Sequence, residues 1–239
     1  MDFTGPVYKA SNGVTFKLIK PPFCRFCHCP LNPNENYWRC STCHIVDRDL
    51  GIRYSYDQAR AAGVYSRKRR NSISNYIRKN KEDPSAAPIL AEVMAHIIKS
   101  EFPYFARADM VVAVPTTQEK LEEKGFNHAQ EIAEGVAKSL RLPLGPDTII
   151  KNWEPAKAQH ESNLRERFEN VRGCFSVRHL PRWAETILLV DDTYITGASL
   201  NECSAVLKET GAARVFVMCA ARGVLVSDRT QYLEEYFDA

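Results

Sequence analysis

The stretch Ile187-Leu188-Leu189-Val190-Asp191-Asp192-Thr193-Tyr194-Ile195-Thr196-Gly197-Ala198-Ser199 decides the fold. Four apolar residues without alternation predict a strand covered on both faces, as in a parallel sheet. The chain then leaves that strand at its carboxyl end, where α/β sheets open into a ligand crevice. From Thr193 to Ser199 the residues are mostly hydroxylated, small or Gly, which lets backbone N–H groups converge on an anion. A helix is predicted from near Ala198, with Leu200, Cys203, Val206 and Leu207 on one stripe and Gly211 as its stop. Its amino terminus adds unpaired donors, so a phosphate can sit there without a lysine. Asp191 and Asp192 would repel that phosphate, and suit instead a sugar diol with Mg²⁺ nearby. A double acid alone also fits a metal pocket or a plain strand end, but neither needs the Thr-x-x-Thr-Gly-x-Ser sequel.

The strand, polar turn, helix pattern occurs once more upstream. Met110-Val111-Val112-Ala113-Val114 predicts a second buried strand, Pro115-Thr116-Thr117 its turn, and Ala129 to Leu140 a helix opened by an Asn127/Gln130 capping box. Val215 to Cys219 predicts a third buried strand, and its rim at Ala220-Ala221-Arg222-Gly223 is placed to meet a base. Ser85 is read as the cap of a helix that packs Leu90, Val93, Met94, Ile97 and Ile98 into the core.

Around this α/β body the composition is ordinary: 239 residues, 44% hydrophobic, 26% charged, net charge +3. No uncharged apolar stretch approaches about 18 residues and the amino terminus lacks a secretory pattern, so a cytoplasmic location is expected. No Gly-x-x-x-x-Gly-Lys-Ser/Thr occurs, which excludes a P-loop nucleotide site. Of eight cysteines, five crowd between Cys24 and Cys43. Cys24-x-x-Cys27 and Cys40-x-x-Cys43 present four thiolates for a structural zinc, with Cys29, His28 and His44 as competing ligands. A segment with so few aliphatic residues needs the metal for its folding free energy. Residues 1–50 are therefore read as a zinc-ribbon segment and 51–239 as the larger domain.

Seven basic residues lie between Arg67 and Lys81. With Ile73 and Ile77 four apart, they read either as a solvated helical face or as a patch for phosphates, of a nucleotide or of a nucleic-acid backbone.

The acidic run resembles the phosphoribosyl pyrophosphate (PRPP) motif of the type I phosphoribosyltransferases. Gly125-Phe126-Asn127, the Lys157, Gln159, Leu164, Arg165 and Asn170-Val171 series and the four-cysteine ribbon occur in the order of the ComF-like competence branch. His128 departs from the Gln usual in that branch, and Thr116 and Thr117 stand where other residues are common. The resemblance implies a parallel sheet flanked by helices behind a small four-cysteine zinc ribbon. It implies Mg²⁺ with PRPP, Asp191 and Asp192 on the ribose, and Thr193, Tyr194, Ile195, Thr196, Gly197, Ala198 and Ser199 around the 5′-phosphate. Thr116 and Thr117 would meet pyrophosphate, while Lys157 or Arg165 would come over it from a mobile loop. The implied activity is transfer of a phosphoribosyl group to or from a nucleobase-type acceptor. The alternative is a non-catalytic PRPP or nucleotide module in DNA uptake or processing, with single-stranded DNA or a competence-type protein partner at Arg67 to Lys81. Self-association as a homodimer is carried as a further expectation.

Overall fold

The central sheet has four strands, all parallel, in the spatial order β3 (Gln58–Tyr65), β8 (Arg214–Gly223), β7 (Thr186–Tyr194) and β4 (Met110–Ala113). The computed structural model describes residues 5–32, 39–154, 163–223 and 231–237. Ahead of the sheet come an antiparallel hairpin, β1 (Val7–Lys9) with β2 (Thr15–Lys17), and the short helix α1 (Ser41–Arg48). The connections supply α2 (Ser72–Asn80), α3 (Ala87–Ser100), α4 (Gln118–Lys124), α5 (His128–Leu140), α6 (Leu164–Val171) and α7 (Ala198–Glu209). A separate antiparallel ribbon pairs β5 (Ile149–Lys151) with β6 (Phe175–Val177).

The unalternating apolar runs are explained by burial on both faces. Leu188, Val190, Met218 and Val111 pack into the core beneath α3 and α5. Their sequence neighbours Ile187, Leu189, Val217 and Val112 pack on the opposite face, with Leu200, Cys203 and Leu207 of α7 and with the cysteine cluster. Helices α3 and α5 approach closely at Gly135, where a Cβ would stand 2.5 Å from that of Ala91.

The segment that carries the amino-terminal cysteines lies against β3, one edge strand of the sheet. Ala59 N–H donates to Phe26 O, Ile19 N–H donates to Ala62 O, and His28 Nδ1 lies 2.8 Å from Ala61 O. These bonds cover an otherwise open sheet edge.

Several local expectations change. The Asn127 side chain caps α5 by accepting from Ala129 N–H, while Gln130 reaches forward to Glu134, so there is a simple cap and no capping box. Asp83, not Ser85, is the capping acceptor: Ser85 N–H and Oγ–H both donate to it, ahead of a 3-10 turn that leads into α3. The two strands beside the acids run further than their apolar cores, to Tyr194 and to Gly223. No helix among the described residues is long and apolar enough to cross a membrane.

Candidate functional site

Strand parity aims the two acids. Along β7, Ile187 and Leu189 pack on the α7 side and Leu188 and Val190 on the α5 side, so alternation carries Asp191 and Asp192 off the strand end toward opposite sides. Asp192 is 5% exposed. Its Oδ2 lies 3.2 Å from Lys81 Nζ and 3.6 Å from Nε2 of His128, the first residue of α5. That oxygen has no hydrogen-bond partner of good geometry, so Lys81 meets it as an ion pair and His128 pairs with it only when the imidazole is protonated. Asp192 N–H donates to Asp191 Oδ1 at 2.8 Å. One ligand atom from each of His128, Asp191 and Asp192 falls within 4.8 Å of the others. Such a trio can hold a divalent cation, and Asp192 Oδ2 is free to accept one in place of Lys81.

Burial, and next the charge of Asp192, pushes the Asp191 carboxyl well above the usual carboxylate range. Burial also lowers the His128 imidazole, against the opposing pull of Asp192. Burial disfavours the charged form of Lys81, but the neighbouring Asp192 outweighs it and raises that ammonium.

These groups open onto a cleft of about 980 Å³. Thr193, Ile195, Thr196, Gly197, Ala198 and Ser199 line one side, and Thr116 lines it from the end of β4. Gly197 holds φ +82° and precedes the first residue of α7, whose first-turn N–H groups lack intrahelical acceptors. Seven cations also line the cleft: Arg67, Lys68, Lys81, Lys120, Lys124, Lys151 and Arg167. Four carboxylates answer them, and of these Glu154 is already taken by Lys151 at 2.8 Å and Lys120 at 3.0 Å. The cleft is therefore electropositive except at the Asp191–Asp192 step.

Three expected site residues stand elsewhere. Tyr194 is buried, its hydroxyl bonded to that of Tyr56 beneath the loop. Thr117 is buried with Oγ1 unpartnered, at the start of α4. Arg165 points away, its Nη2 3.5 Å from Asp49 O, while Arg167 faces the cleft. Two positions along a helix are about 200° apart, so one turn of α6 cannot present both. Lys157 and Gln159 lie outside the described residues. Sequence reading misses Lys151 as a cleft residue, because nothing local distinguishes it from a surface lysine, whereas Arg67, Lys68 and Lys81 of the basic segment do line the cleft. At the strand rim, Gly223 lines the cleft, but the Arg222 side chain is wholly buried beneath it.

The four sulfurs of Cys24, Cys27, Cys40 and Cys43 are buried and within 4.8 Å of one another. Cys24 and Cys43 are 3.9 Å apart and Cys27 and Cys40 3.5 Å, against about 3.8 Å for a tetrahedron with ~2.3 Å zinc–sulfur bonds. The set fits a metal such as zinc. Cys29 is buried outside it.

No family model matches the chain. The DNA utilization protein YhgH of Escherichia coli (strain K12) is 28% identical over 114 residues, 48% of this chain and 49% of that protein. The chain thus matches about half the length of such relatives. The competence protein ComFC of Bacillus subtilis (strain 168) is 25% identical over 194 residues, 77% of this chain and 73% of that protein. Among solved structures, a phosphoribosylpyrophosphate synthetase from Mycobacterium smegmatis overlaps 55% of this chain and 32% of its own, at 21% identity and TM-score 0.31. The chain carries a parallel α/β sheet flanked by helices, with a four-cysteine cluster at its amino-terminal side. It is similar to proteins named competence protein F, of Haemophilus influenzae, and ComFC.

Proposed function

We propose that the cleft binds PRPP with a divalent cation and transfers its phosphoribosyl group to or from a nucleobase-type acceptor, with pyrophosphate as the partner product or substrate. The observation that carries this reading is the placement of the acid step and the 195–199 turn on one wall of a cleft that is otherwise cationic. The acids suit the ribose hydroxyls. The turn's N–H groups, with the hydroxyls of Thr193, Thr196 and Ser199, suit the 5′-phosphate. Thr193 Oγ1 is buried without a hydrogen-bond partner, which leaves it available to a ligand. Thr116 and the cations of the facing wall suit pyrophosphate. As the glycosidic bond breaks, negative charge collects on the leaving oxygens, so donors aimed there stabilise the transition state more than the ground state. Asp191 and Asp192, with His128 beside them, would hold Mg²⁺, whose contribution when bound is to neutralise the pyrophosphate oxygens.

Calorimetric titration with PRPP and Mg²⁺, followed by a panel of nucleobases scored for pyrophosphate release, tests the proposal. Binding that Asp192→Asn abolishes, with turnover for one base, supports it. A flat titration removes it.

One observation favours the second reading. Arg67, Lys68, Arg69 and Arg70 form an exposed cationic run at the cleft mouth, and the relatives bear names concerned with DNA use and competence. On that reading PRPP or a nucleotide binds without turnover, and the run contacts single-stranded DNA or a protein partner.

A further inference from the structure

Arg222, at the end of β8, is 0% exposed. Among the described residues no carboxylate pairs with it. Its Nη2 points at the metal-binding cluster, 3.7 Å from Cys27 Sγ. Its Nη1 donates to the carbonyls of Tyr194 at 3.2 Å, of Ile195 at 2.6 Å, and of Gly223. One planar guanidinium therefore spans from a cysteine sulfur to the backbone that begins the 195–199 turn, a geometry an ammonium cannot reproduce.

A second path runs alongside. Phe26, between Cys24 and Cys27, packs on Tyr54 and Tyr56 with ring centroids 5.1 and 5.3 Å away. Tyr54 Oη–H donates to Thr196 O at 3.0 Å. The carbonyls of three consecutive residues, 194 to 196, are thus drawn toward the cysteine side. A trans peptide sets each N–H opposite the preceding carbonyl. Holding Ile195 O and Thr196 O downward therefore turns the N–H groups of Thr196 and Gly197 toward the cleft.

We propose that Arg222 is a positioning residue that makes the shape of the 195–199 turn depend on an occupied cysteine centre, so that metal loss weakens binding of a phosphorylated ligand in the cleft. The ligand half of this statement rests on the proposed function; the coupling half does not. Four thiolates on a divalent ion also form a net negative centre, which suits the buried cation next to it.

The test uses the full chain, comparing wild type, Arg222→Met and Arg222→Lys. Bound zinc, amide hydrogen exchange of residues 195–199, and titration with PRPP and Mg²⁺ are measured before and after chelation. Arg222→Met is expected to keep its zinc and the slow exchange of β7, yet to exchange about tenfold faster at Ala198, whose buried N–H donates to Thr196 Oγ1, with PRPP bound about tenfold more weakly. Arg222→Lys should recover little. Chelation should reproduce that exchange pattern in wild type and add little to it in Arg222→Met, the signature of one shared interaction. Unchanged exchange on chelating wild type, or equal increments in wild type and variant, overturns the proposal. Should Arg222→Met fail to fold, Tyr54→Phe, which removes only the bond to Thr196 O, and chelated wild type supply the same test. Coupled exchange without PRPP binding would leave the relay standing and sink the ligand reading.

Discussion

The hydroxyls of Tyr56 and Tyr194 meet at 2.6 Å directly beneath Gly197, and the turn rests on that pair. A Cβ at Gly197 would stand 2.6 Å from Tyr194 Oη, 2.8 Å from its Cζ and 3.0 Å from Tyr56 Oη. Both rings are buried, so neither can retreat, and φ of +82° already disfavours an L side chain. Gly197→Ala should therefore cost about 2–4 kcal/mol, strain and overpacking together, and lose PRPP binding. Urea denaturation alongside calorimetry checks both; an unchanged midpoint would show that the turn rises freely from its base.

The raised Asp191 carboxyl gives a pH dependence of definite sign. The empty folded protein keeps a proton that the unfolded chain releases above its ordinary carboxylate value. Stability without a divalent cation is thus lost as pH rises from that ordinary value through the raised one. Asp191→Asn has no such proton, so its melting temperature should depend less on pH. At neutral pH and without cation it should melt about 2–4 °C above wild type, the shift that ~1 kcal/mol gives in a chain of this size. Adding Mg²⁺ should narrow the gap. A wild-type melting temperature that rises across the same window would contradict the assignment.

The elements legible in the sequence are those with long-range burial written into local pattern. Ile187 to Val190 and Val215 to Cys219 are covered on both faces and so carry no polar alternation. The helix after Asn127 shows its period because one face packs on α3. Strand β3 escapes such reading because Gln-Ala-Arg-Ala-Ala-Gly-Val-Tyr has weak β propensity and is held by its pairing with β8. The site divides in the same way. Asp191, Asp192 and the Gly197 turn are contiguous, so spacing reveals them, whereas Lys81, His128 and Lys151 reach the cleft from three separate elements. Arg222 reads as part of a rim placed to meet a base, but its side chain is buried and turned toward the cysteine cluster. The choice of Cys27 over Cys29 likewise needs the convergence of four sulfurs, since both follow Cys24 within a few residues.

The exposed run from Arg67 to Arg70 separates the two functional readings. Reversing Arg69 and Arg70 to Glu changes cations that do not line the cleft. If single-stranded DNA binds there, its affinity should fall, and the logarithmic salt slope should flatten by about 0.7 for each phosphate no longer neutralised. PRPP affinity should fall much less, because both side chains are exposed and neither lines the cleft, and exposed charges interact weakly through solvent. Unaltered DNA affinity and salt slope, measured by fluorescence anisotropy, would exclude this run as a nucleic-acid contact.

Lys81 occupies the place a divalent cation would take on Asp192. Its ammonium is 3.2 Å from Oδ2, with the lysine side chain 44% exposed and the aspartate 8%. Lys81→Met leaves a nearly buried carboxylate without its main counter-charge. Because the lysine is half in solvent, the cost should be on the order of 1 kcal/mol, well short of that for a fully buried pair. Saturating Mg²⁺ should restore most of that loss, and the variant should bind Mg²⁺ several-fold more tightly, since no ammonium has to be displaced. His128→Gln makes the complementary change by removing a nitrogen donor 3.6 Å from the same oxygen. Imidazole favours Mn²⁺ over Mg²⁺ as a partner, so this variant should weaken Mn²⁺ binding while leaving Mg²⁺ nearly unchanged. Equal affinities for both ions in wild type and both variants would place the cation away from the Asp191–Asp192 step.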